Sequence, residues 1–181
     1  LDDPLIQDYL NDLGYRLVAH SETQQLFHFF LIKDSSINAF ALPGGFIGIN
    51  AGLILATKTE SELAGVMAHE IAHVTQRHHA RQYEQNSNSI PIIAALIAAM
   101  VLGSQDNDIG QAALASVAAG SAQQQINFTR ANEKEADRIG INLLMNAEFN
   151  PYGMAAFFDT MDKQSRLYGV SIPEFLRSHP V

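Results

Sequence analysis

The chain contains no cysteine, which excludes disulfide bridges and thiol catalysis and is compatible with an oxidising envelope compartment. Basic residues are scarce. Eleven Lys and Arg stand against 19 Asp and Glu, a formal net charge of -8, and this balance argues against nucleic acid as a partner. No apolar run reaches the ~20 residues of a membrane-spanning helix; Ile90 to Leu102 is free of charge for 13 residues and then stops. No G-x-S-x-G elbow is present, so a serine hydrolase of that type is disfavoured. The first residue, Leu1, is not an initiator methionine, as expected where a signal or other leading segment has been removed. What remains, 181 residues at 47% hydrophobic and 17% charged, has globular composition and suffices for one domain, 1–181, with a substantial core.

Within that chain, Met67-Ala68-His69-Glu70-Ile71-Ala72-His73 contains the pattern H-E-x-x-H. Residues four apart on an α-helix lie one turn above each other, so His69 and His73 can converge on one ion. Such a pair suits Zn²⁺, which leaves room for a carboxylate and a water in a four-coordinate site. Glu70 is turned aside from the metal yet can reach that water, the arrangement a hydrolytic metalloenzyme needs. Thr59 and Glu62 read as a capping box, and Leu63, Val66, Met67, Ile71 and Val74 follow at helical spacing. Neither Pro nor Gly interrupts from Val66 to Ser89, which allows the helix to run on past His73.

A third ligand has two candidates. His79 stands where a metzincin would place it, but Gln76 occupies the position of the turning glycine. On a continuing helix His79 faces elsewhere, so His78 and His79 read as surface or outer-layer residues. Glu133 is the better candidate. It shares a helical face with Asp137, Gly140 and Leu144, and a carboxylate completes a His₂Glu zinc site. Asp137 then accepts the remaining ring N–H of His69 or His73, Gly140 lets the two helices approach, and Glu135 points off this face.

With these residues the chain resembles the gluzincin-type zinc metallopeptidases, which include the CAAX prenyl endopeptidases and the heat-shock membrane protease HtpX, and it looks closest to the periplasmic beta-barrel assembly-enhancing branch. The resemblance rests on Asn38-Ala39-Phe40-Ala41-Leu42-Pro43-Gly44-Gly45, the H-E-x-x-H helix and E-x-x-A-D at Glu133 to Asp137, in that order. It extends from about Asp12 to Pro180. It implies His69, His73 and Glu133 as ligands of one zinc per chain and Glu70 as general base.

The remaining segments fit around this centre. Pro4 opens a first helix with Leu5, Ile6, Tyr9, Leu10, Leu13 and Leu17 on its apolar side. Leu26 to Lys33 reads as a buried strand, in which His28 is a core or edge histidine. Asn38 to Leu42 and Phe46 to Asn50 form a hairpin, giving an edge strand where Phe40, Ala41 and Leu42 can bind an extended peptide. Residues 90–122 read as an apolar helical hairpin near the active site, with peripheral membrane contact as a second possibility. Thr129 is placed to cap the helix bearing Glu133, and Arg130 is a candidate oxyanion donor. Asn150-Pro151 starts a last helix with Met154, Phe157, Phe158 and Met161 inward. The chain is expected to continue beyond Val181. His179, if the tail folds back, either binds the oxyanion or fills zinc's fourth position.

The expected fold is α+β: a mostly helical zincin-like domain with a small, mostly antiparallel sheet. The expected function is zinc-dependent endopeptidase action on polypeptides, misfolded or unassembled envelope proteins among them, in the bacterial periplasm or cell envelope. The alternative is a chaperone-like module that binds unfolded envelope proteins and keeps its proteolysis latent.

Overall fold

The computed structural model describes residues 4–78, 81, 107–168, 175 and 179, with only the backbone course of 107–126 and 164–168. Helix α1 (Pro4–Val18) begins on its proline and buries Leu10, Leu13 and Leu17, as its apolar spacing requires. Strands β1 (His28–Ile32), β2 (Ala39–Leu42) and β3 (Phe46–Asn50) form a sheet of order β1-β3-β2. β2 and β3 pair antiparallel, from Ala39 against Ile49 to Leu42 against Phe46. Gly44 and Gly45, at φ 95° and 88°, turn the chain between them where a residue with a Cβ would be strained.

The sheet differs in one respect from a mostly antiparallel one. β3 also pairs parallel with β1, from His28 against Phe46 to Ile32 against Asn50, so the sheet is mixed. The hairpin is a local feature with a turn signal, whereas the β1 pairing joins segments separated by a whole hairpin arm. β3 is thus central, with Ile47 and Ile49 fully buried, and β1 and β2 are the edges.

β3 runs directly into α2 (Ala51–Ala56), and Thr59 then caps α3 (Glu60–Thr75), its hydroxyl accepting from the Glu62 N–H. Glu62 reaches back to the N–H of Lys58 at 2.7 Å, one residue before the cap. Every residue of α3 from Glu62 to Val74 is buried. The helix is enclosed by α1, the sheet, α4 (Asn107–Asn146) and α5 (Gly153–Tyr168). Two glycines allow this. A Cβ on Gly140 of α4 would sit 3.2 Å from the His69 backbone nitrogen, and one on Gly65 would sit 2.8 Å from that of Met154.

α4 is continuous for 40 residues, so Thr129 lies inside it and caps nothing. The segment 107–122, expected as one arm of an apolar hairpin, is the first part of this helix, and 90–106 lies outside the described residues. No helix among the described residues is long and apolar enough to cross a membrane. One core cluster joins Leu13, Phe27, Ile49, Met67, Leu144 and Phe157, each such side chain contributing about 1.5–3 kcal/mol by burial.

Candidate metal centre

α3 presents His69 and His73 on one face, their Nε2 atoms 2.9 Å apart. α4, held close at Gly140, brings Glu133 opposite them. Its Oε2 lies 3.2 Å from His69 Nε2 and its Oε1 3.6 Å from His73 Nε2. His179 closes the group from the C-terminal side, with Nδ1 3.2 Å from His69 Nε2 and 3.1 Å from Glu133 Oε2. The four donor atoms lie within 4.8 Å of one another.

This set fits a zinc ion. Donors about 2.0–2.1 Å from a tetrahedral zinc stand roughly 3.3 Å apart, close to the separations here. The proton placement also fits. His69 Nδ1 lies 3.0 Å from Asp137 Oδ1, so its proton belongs on Nδ1, donated to the carboxylate, which leaves the Nε2 lone pair facing the other donors.

The surrounding field favours positive charge at the same point. Burial penalises charge on His69, but its hydrogen bonds to Asp137 and Glu133 outweigh that and raise its pKa. Burial likewise opposes charge on His179, yet the carboxylates of Glu70 and Glu133 push it up to about 10. Burial works to raise Glu70 and Glu133, and the histidines around them, His179 foremost, lower both instead.

Glu70 is almost completely buried on α3. Its Oε1 lies 3.2 Å from His179 Nε2, though out of line for a hydrogen bond. Phe175 supports His179, their rings 4.7 Å apart, and itself stacks against Phe158. Beside the cluster a cavity of about 220 Å³ opens, with apolar walls from Ile141, Met154, Ala155 and Phe158.

Five of the residues singled out from the sequence, His69, His73, Glu133, Glu70 and His179, therefore come together, and Asp137 stands directly behind His69. Phe40, Ala41 and Leu42 do not line this cavity; they lie on the edge strand β2, which packs against α3. Arg130 is exposed on α4 and outside the donor group. His28 is an exposed edge residue stacked on Phe46. Glu135 accepts from Arg81 at 3.0 Å, and its Oε2 lies 3.2 Å from His78 Nε2.

His78 is not on the surface. It is 3% exposed, and its Nδ1 lies 2.8 Å from His73 Nδ1. Burial, ahead of the opposing pull of Glu135, takes its pKa down to about 4. The reason is that α3 stops at Thr75 and Arg77 turns left-handed at φ 55°, folding His78 back onto the helix. No glycine marks this turn. His79 lies outside the described residues. Phe175 also gave no signal in the sequence, because its role depends on a tail contact.

Comparison with known proteins follows the same lines. The model of peptidase family M48 matches residues 4–181. The chain belongs to this family. It is 46% identical to the putative beta-barrel assembly-enhancing protease of Vibrio cholerae and 43% identical to the beta-barrel assembly-enhancing protease of Escherichia coli, in each case over 100% of this chain. Those proteins are longer, and the chain covers 38% and 37% of them. A mitochondrial metalloendopeptidase of Schizosaccharomyces pombe is 30% identical over 95% of the chain and 48% of its own length.

Proposed function

We propose that residues 1–181 form a single zinc-dependent metalloendopeptidase domain. The observation that carries this reading is the convergence of His69, His73 and Glu133 beside a buried Glu70. The three would hold zinc, with Asp137 fixing the His69 tautomer. Bound there, zinc would act as a Lewis acid toward a peptide carbonyl and lower the pKa of water to about 7. Glu70, through its carboxylate, takes the proton of the attacking water and passes it to the leaving amine.

His179 gives the site two states. With Nδ1 among the donors and Nε2 toward Glu70, it would serve as a fourth ligand to zinc and cover the base, which is a resting arrangement. Withdrawn from the donor set, it becomes available to the developing oxyanion.

Polypeptide is the substrate class. β2, an edge strand among the described residues, offers backbone groups at Phe40, Ala41 and Leu42 to an extended chain, and the apolar cavity suits a substrate side chain. The relatives named for beta-barrel assembly support misfolded or unassembled envelope proteins as substrates and a periplasmic or envelope location. A chaperone-like module with latent proteolysis is the second reading, favoured by the contact of His179 with Glu70.

Zinc content and peptide cleavage test these assignments together. Wild type should carry one zinc per chain, Glu133→Gln should lose it, and Glu70→Gln should keep it while cleaving at least about 10²-fold more slowly. Full zinc retention in Glu133→Gln would remove the ligand assignment. If a Glu70→Gln protein retained its cellular role, the binding module would be the better description.

A further inference from the structure

We propose that His78 is a positioning residue for the metal site, coupling the carboxylate of Glu135 to the ring of His73 through two hydrogen bonds. The inference rests on His73 being a metal ligand and extends that reading to a residue outside the donor group.

The direction of each bond follows from proton counting. For the Nε2 of His73 to face the other donors with its lone pair, the ring proton must lie on Nδ1. That atom is 2.8 Å from Nδ1 of His78, so His73 donates and His78 accepts. The proton of His78 is then on Nε2, which lies 3.2 Å from Glu135 Oε2. Arg81 donates to the same oxygen at 3.0 Å and anchors it. One arrangement satisfies all three contacts: His73 gives to His78, His78 gives to Glu135, and Arg81 holds Glu135 in place.

The two helix histidines thus have different outer partners. His69 Nδ1 meets a carboxylate directly at 3.0 Å, whereas His73 Nδ1 meets the imidazole of His78, whose other nitrogen faces Glu135. The backbone makes this possible. On a continuing helix His78, five residues after His73, would lie well round the cylinder from it; the left-handed turn at Arg77 brings it back. Because Arg81 and Glu135 belong to different parts of the chain, the same chain of contacts ties the segment after α3 to α4.

The test is zinc affinity, by competition with a chelator, together with the visible spectrum of the Co²⁺-substituted chain. His78→Phe keeps the ring volume and removes both bonds; it should still take one zinc at saturation but bind it about 10–100-fold more weakly. His78→Gln, whose amide can accept from His73 and donate to Glu135, should recover most of that loss and restore the Co²⁺ bands displaced in His78→Phe. Wild-type affinity in His78→Phe would overturn the proposal and leave the ligand assignment standing. Equal weakening in His78→Phe and His78→Gln would also overturn it, as a packing effect. Absence of zinc from wild type would remove both readings at once. Should His78→Phe not fold, the part-exposed Glu135→Ala, which removes the acceptor of the His78 Nε2–H, decides: weaker binding at unchanged stoichiometry supports the relay, and unchanged affinity overturns it.

Discussion

His179 shows how much one side chain can alter the centre. It stands between two buried carboxylates, and the sign of its contribution to the metal-free chain can be worked out. Its folded pKa of about 10 exceeds the ~6.5 of an unfolded histidine, so its stabilisation is complete below about pH 6.5 and is lost as pH rises toward 10. The Glu70 and Glu133 carboxyls are lowered, so theirs is present above about pH 4.3 and lost on acidification. The thermal midpoint of metal-free protein should therefore fall between pH 7 and pH 10, and His179→Gln should flatten that fall. Parallel slopes in the two proteins would mean that this pairing contributes nothing. At this scale the sequence was readable where chemistry and helical spacing coincide, as at His69, Glu70, His73, Glu133 and Asp137. It was less so for His179, which meets His69 across 110 residues, and for His78, whose position depends on a backbone turn at an arginine.

The ends of two helices raise the same issue one level up. α3 and α4 both finish on a non-glycine residue in the left-handed region, Arg77 at φ 55° and Glu148 at φ 62°. After α4 the motif is complete. Glu148 N–H bonds the Met145 carbonyl at 3.2 Å and Phe149 N–H the Leu144 carbonyl at 2.9 Å, the paired bonds of a Schellman end. An L-residue with a Cβ costs about 1–2 kcal/mol in that conformation. Glu148→Gly should therefore stabilise the fold by roughly 1 kcal/mol, part of the gain being lost to the freer unfolded chain; urea unfolding would detect it, and a lower midpoint would count against the reading. Elements with strong local signals, such as α1, the β2–β3 hairpin and the capped start of α3, were legible in the sequence. The stop at Thr75 lacked its usual glycine, and the continuity of α4 through Thr129 was hidden by a residue that reads as a cap.

For the molecule as a whole, the candidate donor group and the core form one system. The candidate donors come from α3, α4 and the residue at 179, so a zinc ion held there would bridge segments that an unfolded chain would hold apart. Removal of zinc with a chelator should lower the thermal midpoint, and readdition should restore it, the shift growing with zinc concentration as expected for a ligand of the native state alone. A midpoint indifferent to zinc would place the site outside the cooperative fold. The mixed sheet is the large-scale feature least visible in the sequence, since the partner of β3 is chosen by the assembled core. The enclosure of α3 has one more consequence. Most surface helices leave a rhythm in the substitutions they tolerate, permissive on the wet side and strict on the dry side. Between Glu62 and Val74 no side is wet, so natural variation there should be uniformly narrow, and divergence among related enzymes should accumulate around the rim of the cleft, where it can change which chains are cut without disturbing how they are cut.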